Sequence, residues 1–114
     1  MKTSDLDRSK RLQSLGWNQE SEYYWGNTIG QSDQSCWRVQ KKDDDTAMEW
    51  ISAPQAGEMI EWLLGEGFSI SIQRSSVFVM GLMNDGSKDF ICENYDNLCN
   101  ALADSVIWVL EKQR

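Results

Sequence analysis

Ser52-Ala-Pro-Gln-Ala-Gly-Glu-Met-Ile-Glu-Trp-Leu-Leu-Gly65, continuing through Glu66-Gly-Phe-Ser-Ile-Ser-Ile72, is the stretch on which the fold turns. Ala56, Met59, Ile60, Leu63 and Leu64 recur at three- and four-residue intervals, the period of an amphipathic helix, while Glu58 and Glu61 fall on its other side. Ser52 as a cap, Pro54 inside the first turn and Gln55 at the capping-box position mark the start, and Gly65 ends the run. From Phe68 the period drops to two. Phe68, Ile70 and Ile72 alternate with serines, as expected of a strand buried on one face.

Towards the C-terminus, Val77-Phe-Val-Met-Gly-Leu-Met83 has no alternation and reads as a central strand covered on both faces. Asn84-Asp-Gly-Ser87 is a hairpin turn, with Gly86 free to take positive φ, and Lys88–Glu93 pairs back. Asp96 or Asn97 caps a last helix, whose Leu98, Leu102, Ala103, Val106, Ile107 and Leu110 form a broad apolar stripe. Towards the N-terminus, Thr3 or Ser4 caps a helix reaching about Leu15, with Gly16 at the left-handed terminal position and Trp17 closing its end. That helix has few apolar residues (Leu6, Leu12, Leu15), so it is expected on the surface, packed through one narrow stripe. Residues 22–26, 36–41 and 47–51 read as strands from their aromatic and β-branched content. A polar, glycine-bearing loop links the first two, and Lys41-Lys-Asp-Asp-Asp45 is read as a solvated hairpin loop between the second and third.

The resulting order is α-β-β-β-α-β-β-β-α, an α+β domain spanning 1–114 with antiparallel sheet covered by helices. Residues 52–112 alone follow the α-β-β-β-α order of double-stranded-RNA-binding domains. The match is topological: such domains grip phosphates with basic residues, and this stretch is acidic.

The 114 residues carry 11 Lys plus Arg against 18 Asp plus Glu, a formal charge of −7. Residues 1–42 hold seven basic and five acidic side chains, and 43–114 hold four and thirteen. Clustered cations are missing, so direct nucleic-acid binding is not expected. An acidic C-terminal part suits a basic partner or mimicry of nucleic-acid charge, or serves solubility. There is no histidine, which removes Ser–His and Cys–His nucleophile pairs and the commonest metal ligand. Cys36, Cys92 and Cys99 lack metal-ligand spacing and read as small hydrophobes of a reduced protein. Met1–Gln13 lacks the apolar segment of a secretion signal, and the longest apolar runs are too short for a bilayer. A cytoplasmic protein with no membrane contact is expected.

Candidate chemistry is sparse. Asp43, Asp44 and Asp45 lack the spaced ligands of a calcium loop, and Glu58 with Glu61 reads as a polar helix face. Neither a metal nor another cofactor is implied, nor a catalytic residue. Six tryptophans, at 17, 25, 37, 50, 62 and 108, are the anomaly. Trp50 and Trp108 are expected in the core, whereas Trp62 shares the Glu58 side of its helix. Tyr23, Tyr24 and Trp25 place rings on both faces of a strand, so one ring should point away from the main core. With Trp37, Trp62 and the cations Arg38 and Arg74 they form the candidate ligand- or partner-binding set. Exposed rings beside an arginine suit stacking on a nucleobase or anchoring a protein contact. The competing expectation is a second hydrophobic cluster under the first helix.

Gln19-Glu-Ser-Glu-Tyr-Tyr-Trp25, Ile51-Ser-Ala-Pro-Gln-Ala-Gly-Glu-Met59 and Leu98-Cys-Asn-Ala-Leu-Ala-Asp-Ser-Val-Ile-Trp-Val-Leu-Glu111 resemble small uncharacterised proteins encoded by bacteriophages and integrated mobile elements. The resemblance covers most of the chain and brings no reaction or catalytic residues with it. It implies an accessory gene product acting in a bacterial cytoplasm. The expected function is therefore non-catalytic binding of a host protein, with anti-defence inhibition the obvious role. The alternative is sequestration of a small-molecule nucleotide signal by stacked rings (Tyr24, Trp25, Trp37) and an arginine (Arg38 or Arg74). Homodimerisation through a free strand edge or an apolar patch is a further expectation.

Overall fold

The computed structural model describes residues 3–17, 21–27, 37–40, 49–83, 86–93, 95 and 97–112. In chain order these form α1 (Leu6–Ser14), β1 (Tyr24–Asn27), β2 (Trp37–Gln40), β3 (Glu49–Ser52), α2 (Ala56–Gly65), β4 (Ser69–Ile72), β5 (Ser76–Met83), β6 (Gly86–Glu93) and α3 (Leu98–Lys112). The α+β order read from the sequence is the order observed. The strands make two antiparallel three-stranded sheets, a first sheet ordered β2-β1-β3 and a second ordered β4-β5-β6. Cys36, Asp43–Asp45, most of the loop after β1, Asn84, Asp85 and Asp96 lie outside the described residues.

Both short helices end as glycine chemistry dictates. Past α1, Gly16 takes φ 98°, Trp17 N–H donates to Leu12 O and Gly16 N–H to Gln13 O. Past α2, Gly67 takes φ 92°, Phe68 N–H donates to Leu63 O and Gly67 N–H to Leu64 O. These paired bonds satisfy terminal carbonyls and drop Trp17 and Phe68 into the core beside the leucines they bond. Gly67 is therefore the residue whose conformation needs glycine at the end of α2, whereas Gly65 is still helical. The starts also differ from expectation. Asp5 caps α1 by accepting from Arg8 N–H at 2.9 Å, because Ser4 is fully buried and holds Ser9 Oγ at 2.6 Å. Gln55 caps α2, its N–H donating to Glu58 Oε1 at 2.7 Å, while Ser52 closes β3. Asn97 caps α3 by accepting from Cys99 N–H at 2.8 Å.

α2 and α3 lie on one face of the second sheet. Met59 and Leu63 from α2, Val77 and Val79 from β5, and Leu102, Val106 and Val109 from α3 are all 0% exposed and form the main core. Phe68 lays its ring over Gly81, where a side chain would not fit. A second, smaller cluster joins Leu6, Trp37 and Ile51, with Trp25 packed against it. α1 ties the two together: Leu12 belongs to the main core and Leu6 to the small cluster, and Arg8–Asp104 and Arg11–Glu111 ion pairs bind it to α3.

Two readings need correction. β3 pairs with β1, not with β2: the two strands lie at opposite edges of the first sheet and do not form the expected hairpin with each other, while Lys41–Asp45 lie outside the described residues. β5 is central as expected, but the described residues cover one of its faces. Val77 and Val79 are fully buried while Met80 is 49% exposed, so the apolar run reflects one core face and one open apolar face. Among the described residues no helix is long and apolar enough to cross a membrane.

Candidate functional site

The register of the first sheet decides what its aromatic residues can do together. Trp25 sits opposite Val39 and Ile51, and Asn27 opposite Trp37; Tyr24 sits opposite Gln40 and Ser52, and Gly26 between Arg38 and Trp50. Alternation along each strand then puts Trp25, Trp37 and Ile51 on one face and Tyr24, Arg38 and Trp50 on the other. The first face is closed by α1: Trp37 is 7% exposed, Lys10 Nζ stands 5.3 Å from its ring centroid, and Trp25 Nε1 donates to Ser4 O at 3.1 Å. This is the hydrophobic cluster under the first helix. On the second face, Trp50 stands edge-on to Tyr24 with centroids 6.2 Å apart, instead of entering the core. Arg38 is exposed there, and Gly26 between them is buried.

The remaining members of the expected set lie elsewhere. Tyr23 is half-buried just before β1, its carbonyl accepting from Ala53 N–H at 3.0 Å. Trp62 packs on Trp17 at 5.4 Å as part of the main core's margin. Arg74 is exposed in the turn between β4 and β5. Trp37 and Arg38, neighbours in sequence, point to opposite faces because the strand period is two. Glu58 serves the start of α2, its Oε1 accepting from Gln55 N–H and its Oε2 from Glu22 N–H at 3.3 Å, while Glu61 is exposed.

A different surface presents more unused contact capacity. On the face of the second sheet turned away from the helices, Phe78 stands opposite Ser71 and Ile91, and Met80 opposite Ser69 and Asp89. Phe78 is half-buried, Met80 is 49% exposed and Ile91 53% exposed, with the exposed carboxylates of Asp89 and Glu93 beside them on β6. Sequence reading missed this patch by assigning the whole β5 run to the interior. The signal was present in the same residues: Phe78 and Met80 occupy positions where a one-sided sheet would carry polar side chains.

Near the far end of β6 a cavity of about 300 Å³ opens between α1 and α3, lined by Arg8, Cys92, Glu93, Tyr95, Asn97, Asn100, Ala101 and Asp104. Its one cation is committed. Arg8 Nε and Nη2 donate to Asp104 at 2.8 and 3.2 Å, and Nη1 to Asp5 at 2.6 Å. These carboxylates, Asp104 first, hold the guanidinium still more firmly protonated than usual. Burial pushes the Cys92 thiol above its ordinary range, Asp104 adds to the shift, and Arg8 partly offsets it. Cys92 carries a free thiol at the cavity wall, and Cys99 is buried in the main core. Among the described residues no three His, Cys, Asp or Glu side chains converge as a metal site.

Compared with protein-family models, with curated proteins and with solved structures, the chain finds no match in any of the three.

Proposed function

We propose that this chain is a non-catalytic binding protein, an accessory product of the bacteriophage type, which acts in the bacterial cytoplasm by occupying the surface of a host protein. An anti-defence inhibitor is the role such a protein would fill. The observation that carries the reading is the open face of the second sheet, where Met80 and Ile91 are exposed and Phe78 is half-buried, with Asp89 and Glu93 beside them. Apolar side chains surrounded by charge are the ordinary anatomy of a protein contact, in which the centre supplies affinity and the rim supplies encounter rate and partner choice. The acidic rim and the formal charge of −7 suit a target whose contact surface carries lysine and arginine around an apolar anchor. Nucleotide capture draws less support, because two of the three rings it would need, Trp25 and Trp37, lie under α1 on the opposite face of the first sheet from Arg38, which shares its face with Tyr24 alone of the three.

The test compares the wild-type chain with a Met80→Glu/Ile91→Glu variant in affinity capture from bacterial lysate, followed by reconstitution with the purified captured protein. Both positions are exposed, so the variant should keep the wild-type melting temperature. The expected result is one host protein in stoichiometric amount, lost from the variant. Retention by the variant, or no specific host protein at all, overturns the reading. So does a wild-type chain that sediments as a dimer while the variant is monomeric, because the open face would then belong to a second copy.

A further inference from the structure

We infer that the outer edge of β6 accepts an extended, basic segment of the partner as a fourth strand of the second sheet. This deepens the proposed protein-binding function and rests on it. β6 is eight residues long and ends the sheet order β4-β5-β6. No backbone hydrogen bond runs from its outer side to another described residue. A strand of that length presents a row of amide and carbonyl groups with the spacing of a ladder, which is how sheets recruit extended peptides.

The side chains along this edge say which segment fits. Asp89, Ile91 and Glu93 alternate along one face of β6, all exposed, as an acidic–apolar–acidic row about 7 Å per step. Neither carboxylate meets a cation among the described residues. An antiparallel strand centred on Ile91 would set its own alternate residues directly opposite. Lysine or arginine against Asp89 and Glu93, with an aliphatic side chain against Ile91, completes every pair. A second copy of the chain does the reverse: antiparallel β6 edges centred on Ile91 put Asp89 of each copy opposite Glu93 of the other. Like charges directly across a ladder repel, so the row that invites a basic strand also rejects self-addition. The opposite edge, Ser69-Ile-Ser-Ile72 in β4, is half as long and carries no charge with which to choose a partner.

The test uses a synthetic probe, acetyl-Thr-Lys-Thr-Val-Thr-Arg-Thr-amide, and a counterpart with glutamate in place of both cations. Titration into isotopically labelled protein should move and protect the backbone amides of β6 between 86 and 93, with weaker changes on β5. The acidic counterpart should bind at least about tenfold less tightly, and an Asp89→Lys/Glu93→Lys variant should exchange the two preferences. Binding that ignores both charge swaps, shifts confined to the helices, or no binding by the basic probe refutes strand addition. An Asp89→Asn/Glu93→Gln variant gives an independent check, since it should shift the chain towards dimers in sedimentation; an unchanged monomer would remove the argument for charge-based rejection. If the probe fails while Met80→Glu/Ile91→Glu still abolishes host capture, strand addition falls and the protein-binding reading stands. If host capture is also unaffected, both fall.

Discussion

Gly81→Ala tests the packing of the second sheet at its tightest point. A Cβ built on Gly81 would overlap the Phe68 ring, lying 2.5 Å from Cε1 and 3.0 Å from Cγ, with Cδ1 closer still. Phe68 has little room to yield, being 6% exposed with Trp108 at 6.5 Å between centroids. Overpacking of this kind costs about 1–3 kcal/mol, against which the reduced freedom of the unfolded chain returns about 0.4–1 kcal/mol. The expected net loss is therefore about 1–2 kcal/mol, a fall of roughly 4–8 °C in melting temperature for a domain of this size. Phe68→Leu alone should also destabilise, by about 1–2 kcal/mol, through lost ring contact. The informative variant is the double. Removing the ring makes room for the new methyl, so the two losses should fall short of additivity by about 1 kcal/mol or more. Urea unfolding followed by tryptophan fluorescence measures all three variants. A Gly81→Ala variant within about 0.5 kcal/mol of wild type, or strict additivity in the double variant, would refute the ring-over-glycine reasoning.

Three further outcomes follow from other parts of the molecule. Leu12→Ala empties a fully buried site in the main core and should cost about 3–4 kcal/mol by urea unfolding, more than Leu6→Ala in the three-residue cluster beneath α1. Arg8→Ala and Asp104→Ala, at an ion pair whose side chains are 35% and 36% exposed, should each destabilise modestly, with a coupling of about 0.5–1 kcal/mol in a double-mutant cycle that shrinks in high salt. Cys92 should react with iodoacetamide more slowly than a solvent-exposed thiol of a short peptide at pH 8, and Asp104→Asn should speed it. Because the folded thiol ionises at higher pH than the unfolded one, its contribution to stability is whole below the unfolded value of about 8.5. It declines as pH rises through the folded value, which pH-dependent unfolding of wild type against Cys92→Ser would reveal.

The candidate site was legible in the sequence to a limited depth. The surplus of aromatic residues pointed to candidate rings, but a residue list does not say which side of a strand a ring occupies relative to a covering helix. Trp37 went beneath α1 and Trp50 to the opposite face, reversing the roles expected of them. The exposed apolar face of the second sheet was hidden for a related reason. Val77, Phe78, Val79 and Met80 are equally apolar, and only the placement of α2 and α3 on one side separates the buried valines from half-buried Phe78 and exposed Met80.

What the sequence determined alone was local and periodic. The helical spacing of Met59, Ile60 and Leu63, the two-residue period of Phe68–Ile72, and the glycine and capping residues set which segments are helices and strands, since these depend on backbone preference and on neighbours within a turn. The tertiary structure decided what required distant partners. β3 crosses to the far side of β1, α1 binds two cores through Leu6 and Leu12, and β6 ends the second sheet as an acidic edge with no further strand among the described residues. Those outcomes follow from which faces find cover when all elements pack at once, a competition for buried area that no single segment records.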